Sequence, residues 1–78
     1  MKIMLDMRTV GTPGELQEYL KRSLFFPDYY GKNLDALYDC LSEMDIEKIT
    51  VLNSEKGGYY FYSVMDVIND LEIFTEMA

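Results

Sequence analysis

Hydrophobic positions along this chain change period several times, and each change marks an element. Lys2 to Met7, with the β-compatible residues Ile3 and Leu5, reads as a strand. Gly11 breaks the pattern, and Thr12-Pro13 opens a helix, with Thr as N-cap, Pro at the first helical position and Glu15 completing a capping box. Leu16, Tyr19, Leu20 and Leu24 then recur at helical spacing and are expected to face the core, until Pro27 ends the run. Asp28 to Lys32 is a loop with a turn at Gly31. Asn33 is an N-cap for a second helix reaching Glu43 or Met44.

The second half repeats the alternation. Ile46 to Leu52 is expected to be a strand, with Ile49-Thr50-Val51-Leu52 its buried part. Asn53 to Gly58 is a polar loop, and Phe61, Val64, Val67, Ile68 and Leu71 mark a third helix over Tyr59 to Asp70. The tail either continues this helix or, the preferred reading, forms a short last strand at Glu72 to Thr75 after a break at Asn69-Asp70. Strand–helix–helix–strand–helix–strand is the pattern of an α/β fold, a small parallel sheet with helical crossovers. At 78 residues, 49% of them hydrophobic, residues 1–78 are expected to form a single domain with one modest core.

The second helix divides cleanly on a wheel of ~100° per residue. Leu34, Ala36, Leu37, Cys40, Leu41 and Met44 occupy one half, and Asp35, Tyr38, Asp39, Ser42 and Glu43 the other. Cys40 is therefore expected to be a plain buried thiol. Asp35, Asp39 and Glu43 stack at i, i+4 and i+8, where like charges disfavour a helix by roughly 0.2–0.5 kcal/mol per pair. The dipole favours Asp35 but not Glu43, and no Lys or Arg lies within the helix. A cationic partner would relieve that repulsion; the plainer alternative is a solvated acidic face. Tyr29 and Tyr30 precede the helix and Tyr38 lies beside the row, which suits an interface. Successive residues cannot both face outward, so one of the two loop tyrosines is expected in the core.

Charge and composition narrow the chemistry. Asp and Glu number 14 against 7 Lys and Arg, for a formal charge of −7. That argues against direct nucleic-acid binding and against anionic membranes, and is compatible with a basic protein partner. The chain has no histidine, which removes the usual general acid–base and metal ligand. Asp35 and Asp39 as a catalytic or metal-binding carboxylate pair would lack a cage of ligands, because they share one helix face. One cysteine excludes an internal disulfide, and Lys2, Asp6 and Arg8 interrupt any signal-peptide core. No run approaches the ~18–20 apolar residues of a membrane span. The expected location is the cytoplasm.

The stretch Phe26-Pro27-Asp28-Tyr29-Tyr30-Gly31-Lys32-Asn33-Leu34-Asp35-Ala36-Leu37-Tyr38-Asp39-Cys40-Leu41 resembles the signature of the barstar family, intracellular inhibitors of barnase. Its YYGxNLDALxDCL core is specific, and the likeness covers about the first 55 residues. The resemblance implies a three-stranded parallel sheet packed against helices, no cofactor, and a protein monomeric when free. It also implies that the second helix and its preceding loop plug the active site of a basic barnase-like ribonuclease. On that basis Tyr29, Gly31, Asn33, Leu34, Asp35, Tyr38, Asp39 and Ser42 match interface positions. Asp39 matches the central acidic residue, which takes the place of the substrate phosphate, and Asp35 its acidic companion. Glu43 joins the expected site on geometry alone. The best-known members carry Trp at the position of Tyr38 and Gly-Trp at Glu43-Met44, and have a second cysteine. The region after Gly58 is shorter here by most of one helix. A barstar-like scaffold that binds another basic protein, such as a DNA-cleaving toxin or a regulator, is the alternative.

Overall fold

A computed structural model describes residues 1–78. The chain order is β1 (Lys2–Asp6), α1 (Pro13–Ser23), α2 (Leu34–Ser42), β2 (Lys48–Leu52), α3 (Gly58–Asp70) and β3 (Thr75–Met77), with a 3₁₀ turn at Ser54–Lys56. The strands lie in the order β1-β2-β3 and every pair is parallel, with Ile3 opposite Ile49, Leu5 opposite Val51 and Ile49 opposite Thr75. Helices supply both crossovers, as parallel pairing requires. The α/β fold with a small parallel sheet expected from the sequence is the fold observed.

One sheet face carries the core. Leu5, Ile49 and Val51 meet Leu16 and Leu20 of α1, Leu37 and Leu41 of α2, and Phe61, Val64 and Ile68 of α3 in a single cluster. All three helices therefore cover the same side, with α2 packed against α3. Met4 on the opposite face stays exposed, and a Lys48–Glu76 pair at 2.9 Å crosses from β2 to β3 there. Period-two strands with one wet face are what a singly covered sheet demands.

The helix ends show how local chemistry places the loops. The Glu15 amide donates to Thr12 Oγ1 at 3.2 Å, and the Thr12 amide donates back to Glu15 Oε1 at 3.2 Å, so the expected capping box forms. α1 stops before Pro27 is reached. Its C-cap is Leu24, Phe25 takes a left-handed φ of 57°, and the Phe26 amide donates to the Lys21 carbonyl at 3.0 Å. This is the Schellman arrangement, which satisfies carbonyls the helix leaves unpaired.

The same arrangement ends α3 and corrects the tail. Glu72 has φ 57°, and the Ile73 amide donates to the Ile68 carbonyl at 3.3 Å. A residue in that conformation cannot open a strand. Pairing starts only where the Ile49 amide reaches the Phe74 carbonyl at 2.9 Å, so the last strand is Thr75–Met77 rather than Glu72 to Thr75. β2 likewise begins at Lys48, two residues after Ile46.

Candidate functional site

Residues 24–33 form the loop from α1 to α2, and its anchor is aromatic. Phe26 and Tyr30 are buried, with ring centroids 4.6 Å apart and planes at 48°. Tyr30 is 5% exposed and Tyr29 is 87% exposed, so the tyrosine pair splits between core and solvent as expected. The Tyr30 hydroxyl donates to Oε1 of the buried Gln17, whose Nε2 donates to the Tyr60 hydroxyl at 2.7 Å. One chain of hydrogen bonds thus ties α1, the loop and α3. Burial pushes the Tyr30 phenol well above its ordinary range, with Cys40 and Tyr60 reinforcing the shift. Gln17 was not among the expected core residues. Its signal was present, because position 17 lies three before Leu20 and seven before Leu24 on the same helix face.

The loop hands the chain to α2 through Asn33. Its Oδ1 accepts from the Ala36 amide at 2.7 Å, confirming the N-cap, and its Nδ2 donates to the Gly31 carbonyl at 3.4 Å. A Cβ on Gly31 would sit 3.2 Å from that Nδ2 and 3.5 Å from the Ala36 Cβ, so a side chain there would press on the cap. Lys32 has a left-handed φ of 55°, and its ammonium pairs with Glu18 of α1. The pairing holds the Glu18 carboxyl below its ordinary range. The only cation between Ser23 and Lys48 is therefore already engaged by α1.

On α2, Asp35, Tyr38, Asp39, Ser42 and Glu43 all face solvent. None of Asp35, Asp39 and Glu43 has a cation within ion-pair distance. Cβ atoms at i and i+4 stand about 5–6 Å apart, so the row spans on the order of 12 Å along the helix. Ser42 Oγ donates to the Asp39 carbonyl at 2.8 Å, leaving its lone pairs as acceptors. Glu43 is the C-cap and lies at the end of the row rather than within the helix. Leu34 is half-buried and packs against the core cluster, so it presents only part of its side chain outward.

Cys40 is partly rather than fully buried, because it sits on the border between the apolar half and the acidic half. Burial still pushes its thiol up, with Glu43 and Asp39 adding to the shift. No cluster of three or more acidic or sulfur ligands is arranged to hold a metal ion, and no helix is long and apolar enough to cross a membrane.

Residues 1–77 match the family described as Barstar (barnase inhibitor). The chain belongs to the barstar family. That is a family of inhibitors, not of enzymes. The chain is also similar to a Bacillus subtilis (strain 168) protein named "Putative ribonuclease inhibitor YrdF", at 39% identity over 77 residues, which covers 91% of this chain and 85% of that protein. The family match thus extends past the 55 residues in which the motif is legible, through α3 and into β3. In this barstar-family chain α2 and the loop before it occupy the positions that the signature motif marks.

Proposed function

We propose that this protein inhibits a basic, barnase-like ribonuclease by covering its active site with the outer face of α2 and the exposed part of the preceding loop. The observation that carries the reading is the acidic row Asp35, Asp39 and Glu43, exposed and without a cation of its own. A site that binds phosphodiesters concentrates cations, and carboxylates accept charge-assisted hydrogen bonds from them. Asp39 stands for the substrate phosphate and Asp35 supports it, with Glu43 at the far end of the row. Tyr29 and Tyr38 cover the rim and exclude water, which strengthens every charge contact inside. Gly31 and Asn33 set the angle of the helix, and Leu34 and Ser42 fill its flank.

The −7 charge steers a basic partner and makes association fast and salt-sensitive. No cofactor takes part. The inhibitor acts as a monomer in the cytoplasm, where the lone Cys40 has no partner for a structural disulfide. Titration of barnase with the parent protein and with Asp39→Ala tests the reading. The parent is expected to abolish RNA cleavage at one equivalent and the variant to need a large excess. Equal potency would sink the assignment.

A further inference from the structure

Phe25 is 88% exposed and holds a φ of 57°. Both facts run against its chemistry. A large aromatic loses burial energy in water, and a residue with a Cβ is strained in the left-handed region where glycine is the usual choice. The fold explains the backbone but not the side chain. The Schellman end of α1 needs a left-handed residue at this position, and the matching end of α3 fills it with the polar Glu72. The apolar contact that accompanies such an end is supplied by Phe26, which is buried against Tyr30. Phe25 is left with no partner in the chain.

Its position is nevertheless near the site. Phe26 and Tyr30 pin the loop on the core immediately after it. Four peptide units separate Phe25 from Tyr29, so their Cα atoms lie within about 14 Å. A standard protein interface covers roughly 800 Å² per partner, a disc about 30 Å across. The molecule itself measures 28 × 24 × 19 Å. A partner seated over α2 and Tyr29 therefore has the reach to cover Phe25.

We propose that Phe25 is a partner-binding residue, an aromatic rim contact that extends the inhibitory surface from the acidic row onto the end of α1. The proposal rests on the inhibitory reading above. Its contact is apolar, in contrast to the charge pairs of α2, and it acts on complex lifetime rather than on encounter.

Phe25→Gly and Asp39→Ala are compared with the parent on immobilised barnase at two salt concentrations, alongside urea unfolding of each free protein. Phe25→Gly is expected to dissociate about tenfold faster, less than full withdrawal of a buried Phe would give because a rim contact is only partly covered. Its association rate and salt slope should stay those of the parent. The same variant is expected to be more stable when free, because glycine relieves the left-handed backbone. Opposite signs on stability and binding are what a purely structural residue would not produce. Unchanged dissociation of Phe25→Gly, with Asp39→Ala weakened, overturns the assignment of Phe25 and leaves the inhibitory reading standing. A less stable Phe25→Gly overturns it as well, by returning Phe25 to the fold. Failure of the parent to bind, or of both variants to differ from it, overturns the inhibitory reading and Phe25 with it.

Discussion

α1 and α2 are neighbours of similar length with opposite treatment of charge. α1 places Glu15 in its first turn and Lys21 and Arg22 in its last, as the helix dipole favours, and Glu18 is paired with Lys32. α2 begins well with Asp35 but has no basic residue in its last turn, and Glu43 sits where a cation belongs. Between Ser23 and Lys48 the carboxylates are Asp28, Asp35, Asp39, Glu43, Asp45 and Glu47, against Lys32 alone. Asp28 lies 4.0 Å from Lys21 and Glu47 reaches the N-terminus at 3.4 Å, while the row on α2 has nothing. The charges of α1 serve the fold. Those of α2 oppose it slightly, as the partner-binding role proposed for that face would lead one to expect.

The largest expected effect breaks that comparison on the α2 side. Asp39→Ala should cost binding about 3 kcal/mol or more, roughly a hundredfold, by leaving the partner's cations buried and unpaired. The same variant should be at least as stable as the parent when free, because it removes two like-charge repulsions and no native pair. Calorimetric binding and urea unfolding on one preparation measure both. A loss of stability comparable to the loss of binding would return α2 to the fold-serving class.

Tyr30→Phe probes the loop between the helices. It leaves Gln17 Oε1 buried without its donor, so unfolding should come easier by about 1–3 kcal/mol, read from the urea midpoint at an unchanged slope. Next in size, Thr12→Ala removes the α1 cap and should cost ~1 kcal/mol of stability with no change in binding. Glu43→Lys should do the reverse. It places a cation at the C-terminus of α2 and relieves Asp39, stabilising the free protein by about 0.5–1 kcal/mol while weakening and desensitising association to salt. Thr12→Ala and Glu43→Lys thus form a pair of opposite sign, and the same sign for both would erase the contrast.

The smallest effect is the dependence on pH. The Tyr30 phenol and Cys40 thiol are both raised by burial. A raised group contributes stability fully below its unfolded value and loses it as pH climbs toward the folded one. Stability should therefore be level from neutrality to about pH 8.5, then fall as the unfolded thiol and, near pH 10, the unfolded phenol release protons that the native chain holds. On the acid side Asp6 and Glu18 behave inversely. Their carboxyls are lowered, Asp6 chiefly by the Asn53 hydrogen bond and Glu18 by Lys32, so their contribution stands above the ordinary carboxylate range and fades as pH falls below it. Tyr30→Phe should flatten the upper part of the alkaline limb, which a pH series of melting temperatures would reveal.

Much of this molecule is legible residue by residue because its signals are local. Thr12-Pro13 with Glu15, and Asn33 before an apolar–acidic helix, each specify an N-terminus within four residues. The acidic row is a matter of spacing along one helix and needed no structure to see. Helix ends were harder, since Phe25 and Glu72 carry no glycine-like mark of the left-handed turn they make. That is why the last strand falls at Thr75–Met77, and why α1 ends ahead of Pro27.

The alternation of strands and helices, the division of α2 into two faces and the membership of the family can be read from the chain alone. Those features repeat with a fixed period or sit in a contiguous motif, so each residue's neighbours in the chain suffice. Which tyrosine of Tyr29-Tyr30 turns inward, that Gln17 and Tyr60 hold it, and that Phe25 is left in water are set by the packing of the folded chain. A loop has no period. The direction of its side chains depends on what α1 and α3 bring against it, from residues 13 and 30 positions away along the chain.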